Sequence, residues 1–141
     1  MQLGGTFQAP QKIADITVGR KLRRQYFLQG AQGAAGRSRP EGSLLATYKI
    51  RYADGSEESM PVELGKDVRN WYDSDQGLPV TRGRVIWTGS NTATSRRNIT
   101  LRLYLGTWHN PHTEKSVATI DFTKPEDRIY APFCLAITAE E

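Results

Sequence analysis

Several residue types and motifs that would reveal a specific chemistry are scarce in this 141-residue sequence. Its single cysteine, Cys134, excludes an internal disulfide, and its only histidines are His109 and His112. There is neither a Gly-x-Ser-x-Gly motif nor a cysteine–histidine signature of nucleophilic catalysis. No apolar run approaches the about 20 residues that a membrane-spanning helix needs. The sequence therefore predicts no disulfide scaffold, no nucleophilic hydrolase and no membrane insertion.

Ligands for a metal ion are also few. His109 and His112 stand three residues apart, but no cysteine or third spaced ligand accompanies them, so a zinc site lacks donors. The segment Asp73–Gly77 begins like a calcium loop, yet its glycine comes one place early and the distal glutamate is absent. Glycoside hydrolysis requires two carboxylates about 5–9.5 Å apart. The loop acids available for it are more simply interpreted as solvated turn residues: Asp67, Asp73, Asp75 and Asp121. We expect no catalytic residues.

The positive net charge of +4 is concentrated in the first third of the chain. Residues 1–52 carry nine Lys or Arg and two acids, whereas the remainder is slightly acidic. The segment Arg20–Arg24 divides its charges between two faces of a strand, and no aromatic platform lies among them. Nucleic-acid binding is therefore not expected.

Apolar residues repeat with a period of two along most of the sequence, as they do in half-buried strands. In Leu44–Tyr52 the even-numbered residues share one face, and Asp54-Gly55 follows as a type I′ turn signal. Met60, Val62 and Leu64 then alternate with polar residues and Pro61. This pattern predicts a hairpin whose second strand either lies at a sheet edge or has a bulge at Pro61, because proline removes a ladder donor.

Further strands follow from the same period. In Ile99–Leu105 the leucines share one face, which places Leu103 in the core, and Ile137 is placed there together with Phe133 and Leu135. No amphipathic helix of ten residues appears, and Ala31–Gly42 is expected to be a mobile loop. The remaining predicted strands are Gln11–Val18, Arg23–Gln29, Gly83–Thr88, Ser116–Phe122 and Pro132–Ala139. The expected fold is an all-β antiparallel sandwich forming one domain over residues 1–141.

Each of the three tryptophans lies beside Asn, Arg or Gly near the end of a predicted strand. Aromatic rings next to planar amide and guanidinium groups suit a sugar, which offers an apolar C–H face and several hydroxyls. Trp87 follows Val85 and Ile86 and is assigned to the core, while burial and exposure are equally compatible with Trp108. Trp71 is the preferred stacking platform. The predicted ligand-binding residues are Trp71, Tyr72, Arg69, Asn70, Asn91, Trp108 and Asn110.

These segments occur in an order that resembles the galactose-binding-like jelly-roll modules of bacterial envelope and secreted multidomain proteins. The resemblance runs from about Phe7 to Thr138 and rests on five main segments: Tyr48–Gly55, Val68–Trp71, Trp87–Asn91, Trp108–His112 and Leu135–Thr138. Such modules often open with an additional strand of which only Thr6–Pro10 remains here. The sandwich is therefore expected either to lack an edge strand or to be completed by a neighbouring chain.

The resemblance implies a non-catalytic carbohydrate-binding module located outside the cytoplasm or in the periplasm, although no signal peptide is visible in residues 1–7. Its partners would be a glycan and other domains of a multidomain protein. No cofactor is implied beyond a structural calcium ion, which the loops of such modules commonly hold. The alternative is a structural or interaction module of a larger envelope or regulatory protein, with its aromatic rings buried between the sheets.

Overall fold

The computed structural model describes residues 1–4, 9–33, 40–72, 78–126 and 130–141. Within these ranges 59% of the chain is strand and 3% is helix. The strands are β1 (Lys12–Lys21), β2 (Arg24–Gln32), β3 (Leu44–Tyr52), β4 (Glu57–Glu63), β5 (Arg84–Gly89), β6 (Leu101–His109), β7 (Ser116–Thr123) and β8 (Ala131–Glu140), with one helix, α1 (Thr92–Ser95), between β5 and β6.

The eight strands form two four-stranded sheets. The first sheet has the order β1-β7-β3-β4, the second sheet has the order β5-β6-β2-β8, and every pairing is antiparallel. The prediction of an antiparallel β-sandwich is confirmed, and each predicted strand is found within a few residues of its expected bounds. Part of the Ala31–Gly42 loop, residues 34–39, lies outside the described residues.

Strands β3 and β4 form the predicted hairpin, with β4 at the sheet edge as Pro61 indicated. The turn type differs from the prediction. The N–H of Gly55 donates to the Tyr52 carbonyl (3.0 Å), and the Tyr52 N–H donates to the Ser56 carbonyl (2.9 Å). A type I′ turn needs positive φ at two residues, whereas at this turn only Gly55 has it, at 84°. The loop is therefore a turn followed by a glycine bulge.

Aromatic stacking between the sheets forms the centre of the core. The Tyr48 ring lies between Phe27 of the second sheet and Phe122 of the first, with centroid distances of 3.9 and 4.7 Å. The buried Tyr48 hydroxyl donates to Gln29 Oε1 (3.0 Å), so this hydroxyl is paired, whereas the buried Nε2 of Gln29 has no hydrogen-bond partner among the described residues. Complete burial of an aromatic side chain of this size stabilises a fold by about 1.5–3 kcal/mol.

The core face of β6 is the opposite of the predicted one. Tyr104 and Trp108 point between the sheets and are buried, whereas Leu103 and Leu105 are only partly covered. Their alternation with Tyr104 means that the leucines lie on the outer face of the second sheet. Leu103 is therefore not a core residue, and the sandwich fills this layer with larger aromatic rings instead.

Strand β8 changes face at a bulge. Leu28 pairs with Ala136 while the next residue of β2, Gln29, pairs with Cys134, which leaves Leu135 as an extra residue. Cys134 is buried and Ile137 packs against the core, as predicted for Ile137. Leu135 is 58% exposed, and Phe133 also lies outside, so both were wrongly assigned to the core.

Candidate functional site

A groove of about 420 Å³ lies on the outer face of the second sheet. Its walls come from the ends of β2, β5, β6 and β8, from the turn after residue 70 and from the first residues of the chain. We call it the tryptophan groove. It is lined by Met1, Gln2, Gln32, Trp71, Trp87, Leu103, Phe133 and Leu135.

Strand pairing brings these distant residues together. Trp87 lies directly opposite Leu103 in the β5–β6 pair, and Phe133 lies opposite Gly30 in the β2–β8 pair. Opposite residues of neighbouring strands project from the same face of a sheet. The apolar residues of three strands therefore form one continuous outer surface.

Two glycines let aromatic rings lie against the backbone of this surface. A methyl group on Gly89 would come within 2.3 Å of the Trp87 ring, and one on Gly30 within 2.6 Å of the Phe133 ring. Both rings therefore occupy space that any larger residue at these positions would fill. Trp87, which had been assigned to the core, is 47% exposed on this surface.

Backbone hydrogen bonds on both sides hold Trp71 at the wall of the groove. Its N–H donates to the Ala31 carbonyl (2.9 Å), and its carbonyl accepts from the Arg102 N–H (2.8 Å). The half-buried ring makes edge contacts with Phe133 and Tyr72, at centroid distances of 5.7 and 6.0 Å. The prediction that Trp71 and Tyr72 lie outside the regular strands is confirmed. Hydrogen bonds to β2 and β6, together with ring packing, fix the position of Trp71.

The polar side chains that line the groove are two primary amides, and the Met1 ammonium group donates to the Cys134 carbonyl (2.8 Å). Gln32 is the last residue of β2, and Gln2 is fixed by a bridge to Phe133. None of the lining residues in the described ranges has an ionisable side chain. An amide both donates and accepts hydrogen bonds, so the groove is suited to a neutral ligand with apolar surface and hydroxyl groups.

Arg69 and Asn70 were predicted to bind ligand, but neither lines the groove. Arg69 is bonded to other residues, and Asn70 is buried. Arg69 donates to both carboxylate oxygens of Glu41 (2.7 and 3.1 Å) and to the Pro79 carbonyl (3.0 Å). Asn70 is buried, and its Oδ1 has no hydrogen-bond partner among the described residues. The same is true of the buried Nε1 of Trp71.

Asn91 serves as the N-cap of α1. Its Oδ1 accepts from the backbone N–H groups of Ala93 and Thr94, both at 3.0 Å, and the Thr94 hydroxyl completes a reciprocal cap. This satisfies donors that a helix start leaves unpaired. The structure gives the Asn91 side chain a structural role.

Trp108 and Asn110 lie at the opposite end of β2 from the groove, near Arg24 rather than Gln32. Trp108 is buried, and Asn110 Oδ1 accepts from the Tyr52 hydroxyl (2.6 Å) while its amide donates to the Leu22 carbonyl (2.8 Å). Burial raises the pKa of Tyr52 to about 12, so its hydroxyl remains a donor. Both predicted site residues therefore stabilise the end of the sandwich and are not brought together with Trp71.

Sequence reasoning missed the groove residues Trp87, Gln2, Gln32, Phe133 and Leu135 as ligand-binding candidates. The signal for Trp87 is the glycine two residues later, which leaves room on the same face for a flat ring. No local signal marks Gln2 or Gln32, because only the topology places them near the tryptophans.

Two of the acids considered for catalysis, Asp67 and Asp121, form ion pairs outside the groove. The buried carboxylate of Asp121 accepts from Lys12 (2.7 Å), Arg51 (2.9 Å) and the Asp15 N–H (3.0 Å). Burial acts to raise the pKa of Asp121, but these hydrogen bonds and positive charges outweigh it and hold the pKa below its ordinary value of 3.8. An acid held ionised in this way is unsuited to donate a proton.

Asp67 is likewise buried rather than solvated. It accepts two hydrogen bonds from Arg82, at 2.7 and 2.6 Å, and one from the Glu63 N–H (2.7 Å). The interpretation of Asp67 and Asp121 as solvated loop acids was therefore wrong. Asp73 and Asp75 lie outside the described residues.

No group of three or more His, Cys, Asp or Glu side chains that would hold a metal ion occurs in the part of the chain that the structure describes. The calcium-like segment Asp73–Gly77 is not part of it. In the same ranges no helix has the length and apolar character needed to cross a bilayer.

Comparison of the chain with protein-family models, with curated proteins and with solved structures gives no match. The groove is therefore interpreted from its own geometry and chemistry.

Proposed function

We propose that this protein is a non-catalytic carbohydrate-binding module and that the tryptophan groove is its ligand site. The observation that carries the proposal is the presence of Trp71 and Trp87 on one concave surface together with the amides of Gln2 and Gln32. The rings offer apolar faces for the C–H surface of a pyranose, and the amides offer donors and acceptors for its hydroxyls.

The size and charge of the groove support the same proposal. Its volume of about 420 Å³ lies in the range of about 300–1,000 Å³ that is typical of small-molecule sites. The lack of ionisable side chains among its described lining residues favours a neutral glycan over an acidic one. Trp71 is kept in place by its packing with Phe133 and Tyr72, so little side-chain freedom is lost when a ligand binds.

The proposal keeps Trp71 and Tyr72 from the sequence-based site and adds Trp87, Gln2 and Gln32. Trp108 and Asn110 lie at the far end of β2 and are not part of it. Arg69 and Asn70 precede Trp71 in the chain but do not line the groove, and Asn91 caps helix α1.

The course of the chain supports the more specific proposal of a galactose-binding-like jelly roll. Five of the seven connections between strands pass from one sheet to the other: β1–β2, β2–β3, β4–β5, β6–β7 and β7–β8. As a result β7 lies between β1 and β3, and β2 lies between β6 and β8. With this fold we also propose the extracellular or periplasmic location that the resemblance implies.

Retention on polysaccharide affinity gels, followed by a glycan array, tests the function. We expect Trp87→Ala to abolish retention while the melting temperature stays almost unchanged, because the ring is half exposed. Leu44→Ala is the matched control, since Leu44 is an exposed apolar residue of the first sheet. It should leave retention intact.

Two outcomes would reject the proposal. One is a parent protein that no gel retains and no glycan in the array binds. The other is a bound glycan whose contacts include neither Trp71 nor Trp87. A bound glycan that contacts both rings would support it.

A second candidate, a structural or interaction module, is favoured by one observation of its own. Val85 and Ile86 are exposed on an edge strand of the second sheet, away from the groove-lining residues. Apolar residues in such a position are typical of a surface that another chain or domain covers.

A further inference from the structure

Strand β5 extends beyond the sandwich. It is the edge strand of the second sheet, and all but its last residue are exposed. Val85 pairs with Tyr104, whose side chain is fully buried between the sheets, yet Val85 itself is 38% exposed. The opposing sheet therefore covers β6 and stops short of β5.

The contacts of β6 show where the first sheet ends. A methyl group on Gly106 of β6 would lie 3.0 Å from the Met60 side chain of β4, the edge strand of the first sheet. Because β4 lies opposite β6, no strand of the first sheet remains to lie opposite β5. The inner side of β5 is left open.

A bulge distributes the apolar side chains of β5 over both of its faces. The register shifts between Val85 and Trp87, which leaves Ile86 as the extra residue. Trp87 pairs with Leu103 of the groove, whereas Val85 pairs with inward-facing Tyr104. Val85 and Ile86, the latter 45% exposed, therefore form an apolar surface separate from the tryptophan groove.

The free edge of β5 has less protection than the other edges. Strand β4 carries Pro61 and several glutamates, β1 is interrupted by two register shifts, and β8 is partly paired with residues 1–3. Proline, charges, bulges and cover are the usual means of blocking an edge. Within the described ranges β5 pairs only with β6, and one bulge is its main irregularity.

Positive charge lies at both ends of this edge. Arg84 begins β5, while Arg96 and Arg97 follow α1 in the loop that leaves its other end. All three are exposed, and none forms an ion pair with a described residue. If two copies paired antiparallel through β5, Arg84 of each would approach the Arg96–Arg97 pair of the other, which is unfavourable.

We propose that β5 binds an extended, acidic segment of a partner protein, which adds to the second sheet as a further strand. Main-chain hydrogen bonds to the free edge supply affinity, and alternate side chains supply specificity. Apolar residues of the segment pack on Val85 and Ile86, and its acids pair with Arg84, Arg96 and Arg97. This surface is distinct from the groove of the proposed function.

Synthetic octapeptides test the proposal. One alternates Val or Ile with Glu, a second has Lys in place of Glu, and a third is the Glu peptide with alternate backbone amides methylated. Anisotropy of a fluorescent label measures affinity, and amide hydrogen exchange reports the protection of residues 84–89. We expect the Glu peptide to bind at least about tenfold more tightly than either other peptide, and to protect β5.

Charge reversal provides the matched control. The triple variant Arg84→Glu, Arg96→Glu and Arg97→Glu should bind the Lys peptide in preference to the Glu peptide. An equal change of charge at Arg20, Lys21 and Arg23, which line a separate cleft of about 300 Å³, should leave the original preference. Circular dichroism of each variant is the control for correct folding.

Three outcomes would overturn the proposal. The first is absence of binding, or equal affinity for the Glu and methylated peptides, because methylation removes the donors that a strand needs. The second is an unchanged preference in the Arg84, Arg96 and Arg97 variant. The third is a dimer in sedimentation that Ile86→Lys dissociates, since a second copy would then be the occupant of the edge.

Discussion

The outer faces of the two sheets share the same strand geometry but differ in chemistry. On the first sheet, Arg51 and Lys12 converge on Asp121, and Glu57 accepts from Arg51 at 2.7 Å. On the second sheet, three strands and the turn at Trp71 present aromatic and aliphatic side chains around the tryptophan groove.

The outer face of the second sheet departs from the usual rule for an antiparallel sheet around the groove. A sheet with one face in the core normally shows polar residues to water on the other. The charged face of the first sheet does so, and its ion pairs need no ligand to explain them. On the second sheet the outer face carries an Arg24–Glu140 ion pair (3.0 Å) at one end, but the part around the groove is apolar, and we propose that part as a binding surface.

The largest expected effect separates the inner face of the second sheet from its outer face. Phe27→Ala should lower the free energy of unfolding by about 3–5 kcal/mol, because the ring is fully buried against Tyr48. Leu135→Ala should change it by less than about 0.5 kcal/mol, because Leu135 is mostly exposed. Urea unfolding monitored by circular dichroism measures both. Similar losses for the two variants would contradict the assignment of faces.

The next effect concerns the charged face. Asp121→Asn should lower the free energy of unfolding by about 1–3 kcal/mol at neutral pH, since Lys12 and Arg51 lose a charged acceptor. Glu114→Gln, a change at an exposed acid, is the control and should have little effect. A loss for Asp121→Asn no larger than for the control would show that the ion pairs contribute nothing to stability.

The two faces should also respond differently to acid. The pKa of Asp121 is lowered in the folded protein, as is the pKa of Glu57, chiefly through its hydrogen bond from Arg51. Each acid therefore contributes stability above its unfolded pKa, and that contribution is lost as the pH falls through the lower folded value.

The melting temperature measured from about pH 5 downward tests this expectation. The parent protein should lose stability below its ordinary carboxylate pKa values, and Asp121→Asn should show a shallower decline. Trp87→Ala should follow the parent curve, because no described lining residue of the groove has a carboxylate side chain. Identical curves for the parent and Asp121→Asn would contradict the interpretation.

Most of the fold could be predicted because strand geometry has a fixed period of two. That period located all eight strands, and Asp54-Gly55 located the hairpin even though the turn type was wrong. Pro61 indicated an edge strand because proline has no N–H to donate to a neighbouring strand. These signals are local, and they depend on the residues next to each other in sequence.

The prediction of which side chains point into the core failed in strands where the local pattern does not determine the inward face. Bulges at Ile86 and Leu135 reverse the alternation, so Leu135 and Ile137 do not share a face. Strand β6 is apolar on both faces, and the choice of its leucines as the core overlooked Tyr104 and Trp108. Bulges and two-sided strands are set by tertiary pairing, which a period of two cannot reveal.

The residues of the candidate groove were predicted only in part for the same reason. Trp71 was identified from its loop context, but Trp87 was placed in the core because its neighbours Val85 and Ile86 are apolar. The sequence does not show that the first sheet ends before it reaches β5. That overhang leaves Val85 exposed on the inner side, whereas Trp87 lies on the outer face because the bulge at Ile86 places it opposite Leu103.

The smallest expected effect tests how individual pairs contribute to the charged face. Lys49 Nζ lies 3.0 Å from Glu57 Oε2, but both side chains are well exposed, and Arg51 also holds Glu57. Lys49→Ala should therefore change the free energy of unfolding by less than about 0.5 kcal/mol, and the difference should vanish in about 1 M salt. Asp121→Asn should keep most of its effect at that salt concentration, because a buried carboxylate is screened much less. Equal salt dependence in the two variants would mean that the charged face acts as a uniform solvated surface, without the buried anchor at Asp121 that distinguishes it from the groove.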